Sequence, residues 1–153
     1  MYTKKEISKQ KQAFWTAFGR YMKPVLSADS EEISWLNFKT GNKQVSIKMD
    51  VDSRQAYIAI VCHHPDPDRQ HLYFDRFVQL KDIFYETLGE EDWTWQSIGT
   101  DEHGRSISTI HKELTGVNIF HNEDWPAIIS FLKPRIIAMD AFWNMVRYPF
   151  SNL

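Results

Sequence analysis

The stretch that decides the fold is Val45-Ser-Ile-Lys-Met-Asp-Val51, continued after Asp52-Ser-Arg54 by Gln55-Ala-Tyr-Ile-Ala-Ile-Val-Cys-His63. Apolar and polar residues alternate in the first segment, which is typical of a strand with one buried and one wet face. The second segment is apolar on both faces and therefore predicts a central strand. Because only a short polar turn joins the two, we expect an antiparallel hairpin.

Helical periodicity flanks this hairpin on both sides. Over Lys4–Met22, apolar residues recur every three or four positions, and Thr3 with Glu6 matches a capping box. The same spacing over Asp68–Leu88 predicts one long helix, for which Asp68 would serve as the N-cap. Gly89 follows at the position of a left-handed C-cap.

A third helix is predicted near the end of the chain. It starts near Asn122–Pro126 and continues to about Tyr148. Because an internal proline removes a backbone hydrogen bond and clashes with the preceding turn, Pro134 is expected to kink this helix or split it in two.

Shorter apolar segments complete the predicted sheet: Ile33–Phe38, Trp93–Ser97, Arg105–Leu114 and Val117–Phe120. Ile107 and Ile110 cannot share one face of a regular strand, so we expect a β-bulge there or a different register. The predicted order is α-β-β-β-α-β-β-(β)-α. It describes an α+β fold, with a mostly antiparallel sheet of about five or six strands, three helical stretches and a single domain over residues 1–153.

Composition narrows the class of protein. Hydrophobic residues make up 42% and charged residues 25% of the 153 residues, as in globular proteins. Cys62 is the one cysteine, so no internal disulfide can form, and the basic N-terminus precedes no apolar signal segment. No apolar run reaches the roughly 18 residues of a membrane span. We expect a cytoplasmic protein without membrane contact, whose net charge of −2 provides no overall attraction to nucleic acid.

The segment from His63 to His71 concentrates groups that bind metal ions. Imidazole and carboxylate are ligands for zinc and related metals, and His63, His64, Asp66 and His71 are the candidates. They would serve a metal-dependent hydrolase. The same residues also fit a rigid strand-to-helix corner at the surface, with an aspartate capping the following helix.

Basic residues suggest a second candidate site. Lys4, Lys5 and Lys11 lie on the first predicted helix, and Lys133 and Arg135 lie on the last one. With tryptophans nearby, these five residues could form a nucleic-acid-binding surface. A charged helix face can equally be a solvated surface without a partner.

Other chemistry has little support in the sequence. Asp101-Glu-His-Gly104 could place a general base beside carboxylates, but it also fits a polar hairpin tip. The phosphate-binding, dinucleotide-binding, nucleophile-elbow and zinc-protease motifs are missing, so no cofactor is predicted.

The chain from Phe14 onward resembles the bacterial domain-of-unknown-function family 4268. The resemblance depends on the spaced aromatic and aliphatic residues of Phe14–Phe18, Val45–Ile60, Phe77–Trp95 and Val117–Trp143. It implies a whole domain of a kind that often lies at the C-terminal end of larger bacterial proteins, some of them nuclease-like. It therefore implies an accessory role around DNA-processing or defence proteins.

Three functions remain open from the sequence. The favoured one is a non-catalytic binding or accessory module whose partner is a protein or a nucleic acid. The alternatives are a metal-dependent hydrolase that uses the His63–His71 segment and a degenerate nuclease-like fold that retains only nucleic-acid binding. Homo-oligomers are compatible with each of them.

Overall fold

The hairpin predicted from the alternating segment forms the first half of the sheet. A computed structural model describes residues 2–153. In it β1 (Val45–Val51) pairs antiparallel with β2 (Gln55–Cys62), and the register joins Ile47 to Ile60. The sheet is completed by β3 (Thr94–Thr100) and β4 (Ser106–Thr115). The strand order is β1-β2-β4-β3, so β2 and β4 are central, and β1 and β3 form the edges.

A β-bulge is present, but it lies in β3 and not in β4, where Ile107 and Ile110 led us to expect it. Gln96 pairs with Thr109, whereas Gly99 pairs with Ile107, so β3 has one extra residue over this stretch. The pairing of β4 with β2 stays regular throughout. Ile107 and Ile110 therefore lie on opposite faces of the sheet, and only Ile110 enters the core.

Four helices cover one face of the sheet. They are α1 (Lys4–Met22), α2 (Pro67–Gln79), α3 (Lys81–Leu88) and α4 (Trp125–Val146). The last helix packs over β2 between α1 and α3, which is why nine of its residues are buried. Two short 3-10 turns, Asn122–Asp124 and Tyr148–Asn152, flank it.

The core lies between these helices and the covered face of the sheet. Ile58, Ile60 and Cys62 of β2 join the helix residues in one buried cluster. Ala59 and Val61 alternate with them and are also buried, but they lie outside that cluster, on the face away from the helices. The second face of the sheet thus carries no helix among residues 2–153.

The prediction of five or six strands was wrong, because two apolar segments are not strands. Ile33–Phe38 belongs to the long connection between α1 and β1, where the Trp35 indole donates to the carbonyl of Val25 at 3.0 Å. Val117–Phe120 forms a turn, and its Ile119 N–H donates to the carbonyl of Asp52 at 3.2 Å. Apolar residues of both segments pack into the end of the core, where they are buried without pairing to a strand.

The number of helices also differs from the prediction. The stretch predicted as one helix over Asp68–Leu88 is two, because Leu80 leaves helical geometry with φ −99° and ψ 12°. Conversely, Pro134 does not split α4. Ser130, whose carbonyl loses its partner there, is exposed and can be solvated, and packing on both sides holds the helix together.

Membrane crossing has no support in these helices. None of those found in residues 2–153 combines the length and the apolar character that a bilayer span requires.

Candidate functional site

The first two histidines of the His63–His71 segment point to different sides of the sheet. His63 lies on the uncovered face, where its Nε2 is 3.3 Å from the hydroxyl of Ser46. Burial lowers its pKa, and the charges of Lys48 and Arg105 lower it further. His64 turns toward the helices and stacks on Tyr73, with ring centroids 6.4 Å apart. The two imidazoles are therefore not directed at a common point.

The remaining predicted metal ligands have other partners or none nearby. The carboxylate of Asp66 accepts the N–H of Asp68 at 2.9 Å and caps α2, so the cap is Asp66 and not Asp68 as predicted. The N–H of Asp66 in turn donates to Nδ1 of His64. His71 is exposed one turn into α2. Across residues 2–153, no three histidine, cysteine or acidic side chains come together as a metal site would require.

A row of polar residues on the uncovered sheet face was missed by the sequence analysis. Along β4, the hydroxyl of Thr109 lies 2.8 Å from Nδ1 of His111, whose Nε2 is 3.9 Å from a carboxylate oxygen of Glu113. The order resembles a hydroxyl–imidazole–carboxylate relay, and its sequence signal is the every-second-residue spacing. However, Thr109 is only 4% exposed, so its hydroxyl is closed to a substrate. Burial also lowers the pKa of His111.

The predicted general base at the β3–β4 turn is part of a solvated hairpin tip. The carboxylate of Asp101 accepts the backbone N–H groups of His103 and Arg105, each at 2.9 Å, and so closes the turn. His103 and Glu102 are both exposed, with 3.5 Å between Nε2 and Oε1.

The five predicted nucleic-acid-binding cations do not form one surface. Lys4 and Lys5 are exposed at the start of α1, and Lys11 reaches across to Asp50 at 3.4 Å. Arg135 is directed at Glu90, with 2.9 Å between Nε and Oε1. Because two residues span about 200° of an α-helix, Lys133 lies on the other side of α4 from Arg135. Only the cations of α1 remain as a group.

Positive charge is nevertheless concentrated on α1. Residues 4–23 contain six cations and one acid, a net charge of +5, whereas the whole chain has a net charge of −2. The acid is Glu6, whose carboxylate accepts the N–H of Thr3 in the predicted capping box. The exposed cations are Lys4, Lys5, Lys9, Arg20 and Lys23.

A shallow groove runs along this face of α1. It has a volume of about 500 Å³ and is lined by α1 and by the indole of Trp125 at the start of α4. The Trp125 ring packs edge-on against Phe14 at 5.4 Å, and its N–H donates to the carbonyl of Ile119 at 2.7 Å, so this wall is fixed. The residues that α1 contributes are Lys9, Gln12, Ala13, Thr16, Ala17 and Arg20.

The floor and the ends of this groove differ in chemistry. The floor is made of small side chains, Ala13, Thr16 and Ala17, while Lys9 and Arg20 stand at opposite ends. The two cations are eleven positions apart on the helix, which corresponds to about 16 Å along the axis. The lysines of this helix are visible in the sequence, whereas the groove was not predicted. Its sequence signal is the run of small residues at helical spacing between Lys9 and Arg20.

Comparison with known proteins identifies the family and nothing finer. Neither the curated proteins nor the solved structures yield a match to this chain. The family model described as a domain of unknown function, DUF4268, matches residues 10–147, which include α1 from residue 10 onward, the whole sheet and all of α4. The resemblance drawn from the aromatic spacing is thereby confirmed, and the chain belongs to the DUF4268 family.

Proposed function

We propose that this chain is a non-catalytic binding module that engages an anionic macromolecule through the exposed face of α1. The observation that carries this proposal is the charge separation, with +5 on residues 4–23 of a chain whose net charge is −2. A local field of one sign raises the association rate with an oppositely charged partner even when the net charge of the protein does not.

The polar clusters support a binding role over a catalytic one. His63 and His64 lie on opposite sides of the sheet, and the Thr109 hydroxyl is buried beside His111. A nucleophile must be reachable and a general base must contact its substrate, and these side chains do not provide that arrangement.

DNA is the first anion to test. The family resemblance implies an accessory role beside nuclease-like proteins of bacteria, and a cytoplasmic DNA-processing or defence assembly is the setting that we propose. Nucleic-acid backbones are recognised mainly by lysine and arginine, with an affinity that falls steeply as salt rises.

A matched pair of triple variants tests the role of α1. We expect Lys5→Glu, Lys9→Glu and Arg20→Glu together to weaken binding to a labelled DNA duplex at least tenfold, measured by fluorescence anisotropy at low protein concentration. The control chain carries Lys39→Glu, Lys43→Glu and Lys48→Glu, which change the net charge equally at exposed sites outside α1. Heparin retention provides a second polyanion for the same comparison.

The proposal fails if the two triple variants lose affinity equally, because binding would then follow net charge alone. It also fails if the α1 variant binds both polyanions as the wild-type chain does. Far-ultraviolet circular dichroism of each variant must remain unchanged, since every substituted side chain is exposed.

A further inference from the structure

We propose that the groove of α1 accepts the α3 edge of a second copy of this chain, so that copies associate head to tail. This inference rests on the proposed function, because it uses the same face of α1. It names the anionic partner as a protein surface present on the chain itself.

The opposite edge of the helical layer is acidic. Residues 81–92 contain one lysine and five acids, a net charge of −4. Glu90 is held by Arg135 and Lys112, so it is not free for a partner. Asp82, Glu86 and Glu91 remain exposed around a second hollow of about 400 Å³.

This acidic edge also presents apolar side chains to solvent. Ile83 of α3 is 42% exposed, and Val78 near the end of α2 is 41% exposed. Ile83 lies beside Asp82 and within one turn of Glu86. The edge is thus an acidic helix with an exposed apolar side chain beside its carboxylates.

The two edges are opposite in charge, and both contain exposed apolar surface. An apolar centre surrounded by charged residues is the usual anatomy of a protein interface. The small side chains of Ala13 and Ala17 leave room for one branched apolar residue such as Ile83. The long side chains of Lys9 and Arg20 bring positive charge from the two ends of the groove toward the carboxylates of the acidic edge. A nucleic-acid backbone can contact the exposed cations of α1 without entering the groove, whose middle is apolar. These features favour a protein helix as the occupant.

The positions of the two edges determine the kind of assembly. Helix α1 lies beside β1, since Lys11 reaches Asp50, and α3 lies beside β3, since Phe84 packs on Trp93 and Trp95. These strands are the opposite edges of the sheet, and α4 separates the two helices. A contact between unlike edges is heterologous, so copies form rings or open filaments and not a two-fold dimer. One helix on one groove is a small interface, and we expect weak association that salt suppresses.

Reversing the charges on the two contact surfaces, singly and together, provides the decisive experiment. Sedimentation velocity of the wild-type chain at low salt should show a weight-average sedimentation coefficient that rises with concentration, and about 0.5 M salt should abolish the rise. A chain with Lys9→Glu and Arg20→Glu, or one with Asp82→Lys and Glu86→Lys, should stay monomeric. The chain that carries all four substitutions should associate again, because complementarity is restored.

Two further variants separate this interface from general charge effects. Ala13→Tyr fills the floor of the groove without changing charge, and it should abolish association. Lys39→Glu with Lys43→Glu alters charge elsewhere and should leave association unchanged.

The outcomes distinguish this inference from the function on which it rests. A wild-type chain that stays monomeric at low salt, or a fourfold variant that folds but does not associate, overturns the head-to-tail contact. If polyanion binding still depends on α1 in that case, the proposed function stands without it. If neither association nor polyanion binding responds to Lys9→Glu and Arg20→Glu, both fail together.

Discussion

Glu90 and Arg135 form a two-pronged ion pair, in which Nε and Nη2 of the guanidinium donate to the two carboxylate oxygens at 2.9 and 3.0 Å. The ammonium of Lys112 donates to the same carboxylate at 2.9 Å, and the Trp93 indole donates at 3.2 Å. One side chain after α3 therefore links α4, β4 and the start of β3. Arg135 is occupied by this pair, which explains why it does not belong to the basic surface of α1.

We expect Glu90→Ala to destabilise the fold by about 1–3 kcal/mol. The side chains of Arg135 and Lys112 are only 22% and 16% exposed, so removal of the carboxylate leaves two partly buried cations without their partner. Urea unfolding followed by tryptophan fluorescence measures the loss. Glu91→Ala in the same exposed loop is the control, and an equal loss in both variants would mean that the ion pair contributes nothing specific.

The pH dependence of this ion pair follows from its hydrogen bonds. Burial raises the pKa of Glu90, but the hydrogen bonds from Arg135 and Lys112 outweigh it, and the net effect is a lowered pKa. Since the folded pKa is below the unfolded one, the stabilisation is present above the ordinary glutamate pKa of about 4.3 and is lost as pH falls through the folded value. The difference in unfolding free energy between wild type and Glu90→Gln should therefore be large at neutral pH and shrink in acid. A difference that grows in acid would contradict this assignment.

The local elements of the fold could be predicted because their signals are local. The alternation over Val45–Val51 determines which side chains face the core, and the capping box at Thr3 determines where α1 begins. The break at Leu80 has no such signal. No glycine or proline marks it, and the chain turns there so that Phe84 can enter the core against Phe142. Tertiary packing decides that position, and a single sequence does not show it.

The candidate site was predictable only in part for the same reason. The lysines of α1 are visible as a basic helix, but the groove exists because Trp125, more than a hundred residues away, stands beside Ala13 and Ala17. The pairing of Arg135 with Glu90 is equally long-range. Residue types indicated which groups carry charge, and the fold determined which of them are free.

Cys62 should be unreactive in the folded chain. It is 1% exposed, and burial raises the pKa of its thiol to about 12, so almost no thiolate is present at neutral pH. We expect no labelling by a disulfide reagent at pH 8 over minutes and complete labelling after unfolding in guanidinium. Fast labelling under native conditions would show that the end of β2 opens readily.

Gly89 should be the most sensitive position at the end of α3. Its φ of +73° is left-handed, and its N–H donates to the carbonyl of Tyr85 at 2.9 Å to end the helix. The space around Gly89 is open, but a residue with a side chain is strained in this backbone conformation. Gly89→Ala should therefore lower the free energy of unfolding by about 1 kcal/mol. The loss appears as a lower melting temperature, and Gly19→Ala inside α1 is the control, since helical geometry accepts alanine there. Equal melting temperatures for Gly89→Ala and wild type would contradict the strain argument.

Replacing the ionisable carboxyl group of Asp140 with a neutral one should stabilise the chain near neutral pH. Its carboxylate is buried on α4 and accepts the N–H of Ala28 at 2.7 Å, which anchors the connection between α1 and β1. Burial raises its pKa, the Ala28 hydrogen bond opposes the rise, and the charge of Asp29 adds to it. The folded chain therefore holds a proton at pH values where the unfolded chain has released it, and stability declines as pH rises through the folded pKa.

Asp140→Asn tests this sign directly. The amide oxygen of asparagine can still accept the Ala28 N–H, so the anchor remains while the ionisation is removed. We expect the variant to gain stability relative to wild type at pH 7 and to lose that advantage below the ordinary aspartate pKa of about 3.9. Urea unfolding at the two pH values measures both effects, with the exposed Asp75→Asn as the control for a general change in net charge. If the difference between Asp140→Asn and wild type is the same at both pH values, the Asp140 carboxyl does not titrate with a raised pKa, because only a shifted group can make that difference depend on pH.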